Sequence, residues 1–418
     1  METVNYYPRI CDNVLSRKLQ LTGATLIVGP KWCGKTETAL QAAASVIYIQ
    51  SDPQYKETGK IMPSLLLEGK TPRLIDEWQE VPELWNAVRH SVDQRKKQGQ
   101  FILTGSSTPR DEVIAHSGIG RISRIQMRPM TLYESKESSG TVSLKALFNG
   151  EQEIAAVSKL DIPQLAYAIC RGGWPGAVTL PIGGEGLARE YTDMLVEVDI
   201  SNLDGVERNP HRVRQVLRSL ARNISTLTTA NTILEDVRAN DLTINERTLD
   251  SYLNAMRRLF VVEDIPAWSP ALRSKTTIRN TVKRQLVDPS IATAVMRVNA
   301  IGLLHDWNTF GFLFESLCTR DMRVYAQSND GEIFHYRDKD QLEVDLIVSL
   351  NDGRWAAIEV KLGEHLADEA ATNLIKLKNK VDTSRIGEPS FLMVLTGGKF
   401  AYQRNDGVIM VPLACLKD

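Results

Sequence analysis

Residues 24–36 read ATLIVGPKWCGKT, and this stretch decides the fold of the first part of the chain. The short apolar run from Ala24 to Val28, rich in β-branched residues, predicts a strand. From Gly29 to Thr36 the sequence fits GxxxxGK followed by Ser or Thr at every fixed position, and TETALQAAAS behind it predicts a helix. A strand, a glycine turn and a helix in that order form a P-loop.

The chemistry explains the spacing. Successive backbone N–H groups must point at phosphate oxygens, and Gly29 and Gly34 allow the curl that this requires. Pro30, Lys31, Trp32 and Cys33 fill the variable positions of the loop. Lys35 is expected to reach the β and γ oxygens and Thr36 to give its hydroxyl to Mg2+, while the helix adds its positive dipole end. The ligand implied is ATP with magnesium. Cys33 could make the loop sensitive to oxidation, although a passive loop position is the plainer reading.

Working outward, VIYIQ (46–50), RLIDE (73–77) and FILTGSS (101–107) predict further strands, with PELWNAVRHSVDQRKK as an intervening helix. Such alternation implies a parallel α/β sheet covered by helices. Within RLIDE, Asp76 is expected to hold magnesium through water and Glu77 to orient or deprotonate the attacking water. Thr104 and Ser106 fit polar sensors of the γ-phosphate, or ordinary turn residues after a strand. No NKxD-type base reader is present, so the pattern implies an ATPase with an extra strand between the P-loop and Asp strands. In GIGRISRIQMRPMTLYE, Arg121 could act as an arginine finger on a neighbouring subunit, with Arg110, Arg124 and Arg128 competing for that role.

From about residue 205 the pattern changes to helices, VRQVLRSLARNI, ANTILEDVRAN and NERTLDSYLNAMRRLF, followed by the strand FVVEDIPAW. Three helices and a strand pair suit a winged helix-turn-helix. Residues 247–284 carry eight basic side chains (Arg247, Arg257, Arg258, Arg273, Lys275, Arg279, Lys283, Arg284) against Asp250, Glu263 and Asp264. That surplus could contact phosphates or form a solvated face on a protein adaptor.

The last part returns to mixed α/β, with a helix GFLFESLCTRDMRVYA and strands EIFHYRD, EVDLIVSL and RWAAIEVKL, the last two joined as a hairpin by NDGR. On a strand, Glu359 and Lys361 share a face. A hairpin partner brings Asp345 alongside, and Glu315 on the preceding helix supplies a third acid. Three carboxylates and a lysine suit Mg2+ or Mn2+ and phosphodiester cleavage. They equally suit cross-strand ion pairs.

The expected domains are 1–204, a P-loop ATPase domain with a helical extension; 205–290, a winged helix-turn-helix; and 291–418, a mixed α/β domain that the family resemblance described next implies to be restriction-endonuclease-like. At 418 residues the chain is long enough for two or three cores. It is 43% hydrophobic and 24% charged with net charge −1, so no global field draws it to nucleic acid. Five scattered cysteines without a CxxC exclude a zinc ribbon and argue against a disulfide framework. The absence of a secretory signal and of a membrane-length apolar run points to the cytoplasm, with no membrane partner.

Taken together, GPKWCGKT, LIDEWQEVPELW, FILTGSS, the GR…RPMTLYE stretch, RGGWPGAV (171–178), NERTLDSYLNAMRRLFVVEDIPAW and FGFLFES…YRDKDQLEVDLIV…AAIEVK resemble one family. It is the AAA+-type prokaryotic P-loop ATPases of the AAA_14 group that carry a C-terminal DUF4143 region. The resemblance implies a C-terminal domain similar to PD-(D/E)xK nucleases, preceded by a winged helix, and it strengthens the metal reading at Glu315, Asp345, Glu359 and Lys361. It also implies a homo-oligomer, because the finger arginine of such ATPases acts on a neighbour. Three functions remain open: an ATP-driven enzyme that binds or cuts DNA, an ATP-dependent adaptor whose nuclease-like domain is non-catalytic, and a signalling ATPase that reads a protein.

Overall fold

The computed structural model describes residues 6–107, 118–151, 153–180, 182–201, 203–269 and 281–418. Packing divides the chain into two compact units, Met1–Pro129 with Arg258–Phe260, and Met130–Arg257 with Val261–Asp418.

In the first unit, α1 (Ile10–Leu21) leads into β1 (Ala24–Val28) and α2 (Lys35–Ala42). Then come β2 (Ser45–Tyr48), α3 (Pro53–Ile61), β3 (Arg73–Asp76), α4 (Glu83–Arg95), β4 (Phe101–Gly105) and β5 (Ile122–Gln126). Among the described residues these strands form one sheet in the order β2-β3-β4-β1-β5, parallel throughout. β4 is therefore the extra strand between β1 and β3. Side chains alternate between two apolar layers. Leu26, Val28, Ile75 and Leu103 pack with Trp78, Trp85 and Val88, whereas Ile27, Leu74 and Ile102 pack with Leu15 and Ala39. Each fully buried Leu, Ile or Val of this kind stabilises the fold by about 1.5–3 kcal/mol. Burial on both faces explains why these strands read as continuous apolar runs. β5 lacks such a run because ISRIQ is an edge strand that buries only Ile125 completely.

The second unit begins with β6 (Val142–Ser143), α5 (Leu144–Asn149) and β7 (Ala155–Val157). Helices α6 (Ile162–Arg171), α7 (Pro175–Thr179), α8 (Gly184–Met194), α9 (Pro210–Arg222), α10 (Ala230–Arg238) and α11 (Glu246–Arg258) follow. After α12 (Pro289–Met296), α13 (Ala300–His305) and the long α14 (Trp307–Ser328) come β8 (Gly331–Arg337), β9 (Glu343–Leu350) and β10 (Trp355–Lys361). The chain closes with α15 (Ala367–Lys380), α16 (Thr383–Ile386), β11 (Leu392–Thr396), β12 (Phe400–Gln403), β13 (Ile409–Pro412) and β14 (Leu416–Lys417). The main sheet of described strands runs β7-β12-β13-β11-β10-β9-β8, with β8, β9 and β10 antiparallel and β10, β11 and β13 parallel.

Two early segments join this unit. Ala155–Val157 pairs with Phe400–Tyr402, and Val142–Ser143 with Leu416–Lys417. A division by compactness thus falls at 129/130, ahead of the 204/205 boundary expected from chain order. Helices α9, α10 and α11 lie where the sequence puts three helices. The expected strand at 260–268 is a set of isolated bridges, Val262 to Leu286, Ile265 to Lys283 and Ala267 to His335.

A buried ion triad joins α14 to the start of α12. Arg320 on α14 donates to Asp288 Oδ2 at 3.0 Å and to Asp321 Oδ1 at 2.9 Å, and all three side chains are essentially without exposure. The carboxylates find further donors in the backbone N–H groups of Gly173, Ser290 and Leu132. This accounts for RGGWPGAV as a structural motif. A Cβ on Gly173 would lie 2.2 Å from the Met130 carbonyl oxygen, and Trp174 Nε1 bonds Ser290 at 2.9 Å.

Candidate functional site

The parallel register fixes the first site. Ile27 lies beside Thr104, Leu103 beside Ile75, and Tyr48 beside Asp76, so the loop after β1 and the polar ends of β3 and β4 meet at one edge of the sheet. Ligands of open parallel sheets bind at that C-terminal edge.

The loop is tightly built. Gly29 leaves no room for a side chain, since a Cβ there would sit 2.1 Å from the Met127 carbonyl oxygen, and Gly34 has φ 97° at the N-terminus of α2. Trp32 is also left-handed (φ 64°) and its side chain is exposed, as is Lys31. Cys33 is fully buried, which favours the passive reading of this thiol. Arg9, which no sequence pattern singles out, holds the loop from behind by donating to the carbonyls of Cys33 (2.7 Å) and Arg128 (2.8 Å).

Lys35 is buried, and its ammonium donates to the carbonyl oxygens of Gly29 (3.0 Å) and Pro30 (2.8 Å). Among the described residues it meets no carboxylate. A buried ammonium whose partners are only neutral carbonyls lacks its counter-charge, and phosphate supplies one.

The carboxylates stand in order beside it. Thr36 Oγ1 and Thr104 Oγ1 both donate to Asp76 Oδ1, at 2.7 and 2.6 Å. Ser106 Oγ donates to Glu77 Oε2 at 2.9 Å, and the Gln79 amide donates to the same oxygen. Glu77 itself adopts φ 55° and ψ 48°, a left-handed conformation that costs a non-glycine residue about 1 kcal/mol. Thr36 and Asp76 converge closely enough to share one cation, so the donor set suits Mg2+. Sequence reasoning misses Gln79, whose only signal is its place in DEWQ.

Arg121 lies elsewhere. It precedes Ile122, which pairs with Ala24 at the start of β1, so it sits at the end of the sheet opposite the loop. Its Nε donates to Asp93 at 2.7 Å. It does not reach the P-loop of its own chain, and the finger role would require a second copy. Arg128 is buried, whereas Arg124 is exposed on β5 with its guanidinium over the Phe260 ring, where partial loss of solvent lowers its pKa. Arg110 lies outside the described residues.

In the second unit the structure brings Glu315, Asp345, Glu359 and Lys361 together, with one addition. Lys361 Nζ lies 2.9 Å from Glu359 Oε2 and 3.7 Å from Asp345 Oδ2, which also accepts the Val360 N–H at 3.0 Å. The addition is Lys283, whose ammonium lies 2.8 Å from Asp345 Oδ1 and in contact with Glu315 Oε1. Burial pushes Glu315 up to about 7, aided by Asp345 and opposed by Lys283. Burial and the Asp345 charge push Glu359 well above the usual carboxylate range. Burial would raise Asp345 as well, but Lys283 and Lys361 overcome it and hold Asp345 below its ordinary value. The cluster's charge is closed from within.

Lys283 stands between Glu315 and Asp345, where the expectation places Mg2+ or Mn2+. A divalent ion between Glu315 and Asp345 would have to displace a buried ammonium that already bonds both. Among the described residues no group of three or more His, Cys, Asp or Glu side chains is arranged to hold a metal. The residues present do not fit that ion. The cluster borders a cavity of about 720 Å3 lined in part by Asn373, Lys376 and Lys380.

In the sequence Lys283 belongs with the basic residues of the middle region, and nothing in its neighbours marks it. Two more residues of that surplus are engaged. Arg257 and Arg284 both pair with Asp264, at 3.2 and 2.7 Å. Arg273, Lys275 and Arg279 lie outside the described residues. All five cysteines are buried and none is joined in a disulfide. No helix among the described residues is long and apolar enough to cross a membrane.

Comparison with known proteins fits the first site. An AAA domain family matches residues 22–136, a domain of unknown function (DUF8612) matches 162–301, and a second one (DUF4143) matches 310–416. Two uncharacterized proteins, Rv2008c of Mycobacterium tuberculosis and Mb2031c of Mycobacterium bovis, are each 22% identical over 353 residues. The match covers 83% of this chain and 72% of theirs. Among solved structures, the Walker-type ATPase PABY2304 of Pyrococcus abyssi aligns over 70% of this chain and 97% of its own at 16% identity, with a TM-score of 0.44. The chain thus carries an AAA domain of the P-loop ATPase type over residues 22–136 and a DUF4143 region over 310–416.

Proposed function

We propose that the first unit binds ATP with Mg2+ and hydrolyses it, and that nucleotide state controls a second unit that binds a partner without cutting nucleic acid. The observation that carries the first half is Lys35, buried against two loop carbonyls with no counter-charge. In this reading Gly29 to Thr36 wraps the phosphates and Lys35 holds the β and γ oxygens. Thr36 and Asp76 hold the magnesium. Mg2+ supplies positive charge that offsets the phosphates. Glu77, oriented by Ser106 and Gln79, positions water and accepts its proton at the carboxylate, while Thr104 fixes Asp76.

The second half rests on Lys283, which neutralises the carboxylates that a phosphodiester-cutting centre would need for metal. Residues 205–290 serve as a winged helix and 291–418 as a nuclease-like fold kept for binding. Arg121 serves a neighbouring copy in a homo-oligomer.

Two measurements test this. Wild type should hydrolyse ATP with Mg2+, and Glu77→Gln should lose hydrolysis while still binding ATP calorimetrically. A wild type that fails to bind ATP would end the reading. Labelled DNA should stay intact with Mg2+ or Mn2+, with or without ATP. Metal-dependent cutting that disappears in Glu359→Ala would overturn the non-cutting half.

A further inference from the structure

Helix α9 carries arginines at 214, 218 and 222, a spacing of four that stacks them on one face. That face borders a cleft of about 690 Å3 between α9, α10 and the end of α12, where Arg297 adds a fourth guanidinium. Such a volume suits a ligand the size of a nucleotide.

The arginines are not equivalent. Arg214 pairs with Asp193 and Glu197, and Arg222 with Asp236 at 3.1 Å. Arg218 and Arg297 are exposed, and neither has a carboxylate partner among the described residues. Arg297 is held at the cleft by backbone geometry, with φ 57° where it ends α12. The same cleft holds an unpaired polar group. Ser219, only 2% exposed, lines the cleft, and its hydroxyl has no hydrogen-bond partner. Leaving such a hydroxyl unmatched costs roughly 1–3 kcal/mol, which an acceptor in the cleft would offset. Gln215 also lines the cleft with a buried, unpartnered Oε1, and its amide can turn its NH2 to the same point.

We propose that this cleft binds a phosphate-bearing ligand of nucleotide size, free or as a unit of a nucleic-acid strand. Arg218 and Arg297 supply the charge, because planar guanidinium groups match phosphate oxygens in pairs. Ser219 donates to one of those oxygens. Arg214 and Arg222 contribute positive field but are held back by their acids. The site shares no residue with the P-loop or the Lys283 cluster, so it stands or falls independently of both.

The test uses the full chain and the Arg218→Ala/Arg297→Ala double variant, whose substitutions lie on the surface and should leave ATP hydrolysis unchanged. Fluorescence anisotropy follows a short labelled single-stranded oligonucleotide over a salt series. Calorimetry follows inorganic phosphate in a Lys35→Ala background, which silences the P-loop. A nucleic-acid site predicts at least about tenfold weaker oligonucleotide binding in the double variant. The salt slope should fall by about 1.4, or about 0.7 for each phosphate no longer neutralised by an arginine. A small-molecule site predicts phosphate binding that the double variant loses, with no oligonucleotide binding. Wild-type binding to neither probe, or binding unchanged in the double variant, overturns the proposal.

Discussion

The Lys283 ammonium lies 2.8 Å from Asp345 Oδ1 while also contacting Glu315, so one lysine from the segment before α12 closes a site built by α14 and β9. Removing one partner from a buried ion cluster is costly because the others keep their charge without compensation. Lys283→Met should destabilise the second unit by about 3–5 kcal/mol, read by urea denaturation. It should also open the carboxylates to cations. Mn2+ should raise the melting temperature of the variant and leave wild type unchanged. A variant as stable as wild type and indifferent to Mn2+ would show that the ammonium does not hold the site.

Lys35→Ala tests the other buried lysine. Its charge is expected to meet the phosphates directly, and a charge-assisted hydrogen bond of this kind contributes about 3 kcal/mol or more in a dry site. ATP affinity should fall at least about a hundredfold by calorimetry. The fold should survive, because the ammonium gives up only two hydrogen bonds to carbonyls. Undiminished affinity would remove the P-loop assignment.

The proposed ATP site is legible in the sequence because its chemistry is local. Gly29, Lys35 and Thr36 are fixed by spacing within one loop, and Asp76 and Glu77 end a strand whose apolar run can be read directly. Arg9 and Gln79 are not legible. Their roles depend on which carbonyl or carboxylate the fold brings to them, and an arginine or glutamine in a loop looks alike in either case. Lys283 shows the limit most sharply. In the sequence it belongs to a basic surplus, yet it is separated by 32 positions from Glu315 and by 62 from Asp345, and only the folded sheet joins them. The strands at 142–157 escape notice for a related reason, since short strands that pair with residues near the C-terminus carry no periodicity of their own.

Arg320 holds α14 to the start of α12. Arg320→Met leaves Asp288 and Asp321 facing each other in a site with essentially no exposure. A drop of about 3–5 kcal/mol is expected in denaturant melts. Combining it with Asp288→Asn and Asp321→Asn should recover part of that stability, since the charges that need the guanidinium are then gone. No recovery would mean that shape, and not charge, sets the cost.

The final prediction concerns pH. His335 on β8 is only 3% exposed and donates through Nε2 to the Thr281 carbonyl oxygen at 2.9 Å. Burial lowers its pKa from 6.5 to about 4, and the positive charges of Lys283 and Arg337 add to that. A base whose folded pKa is depressed takes up its proton more readily in the unfolded chain. Its contribution to stability is therefore present above pH 6.5 and is lost as pH falls toward 4, at roughly 1.4 kcal/mol per pH unit. Glu315, raised to about 7, and Asp321, raised to about 6, act in the opposite sense, since burial leads each to bind its proton in the folded state. Their stabilisation is complete below the ordinary carboxylate pKa and is lost as pH rises through those values. Total stability therefore mixes opposing slopes, and only a difference isolates the histidine. His335→Gln keeps a donor for Thr281 without a titrating ring. Relative to wild type, the variant should gain about 3 kcal/mol between pH 6.5 and pH 4, measured by urea denaturation at each pH. A difference that stays constant across that range would show that His335 takes up its proton equally in the folded and unfolded chains.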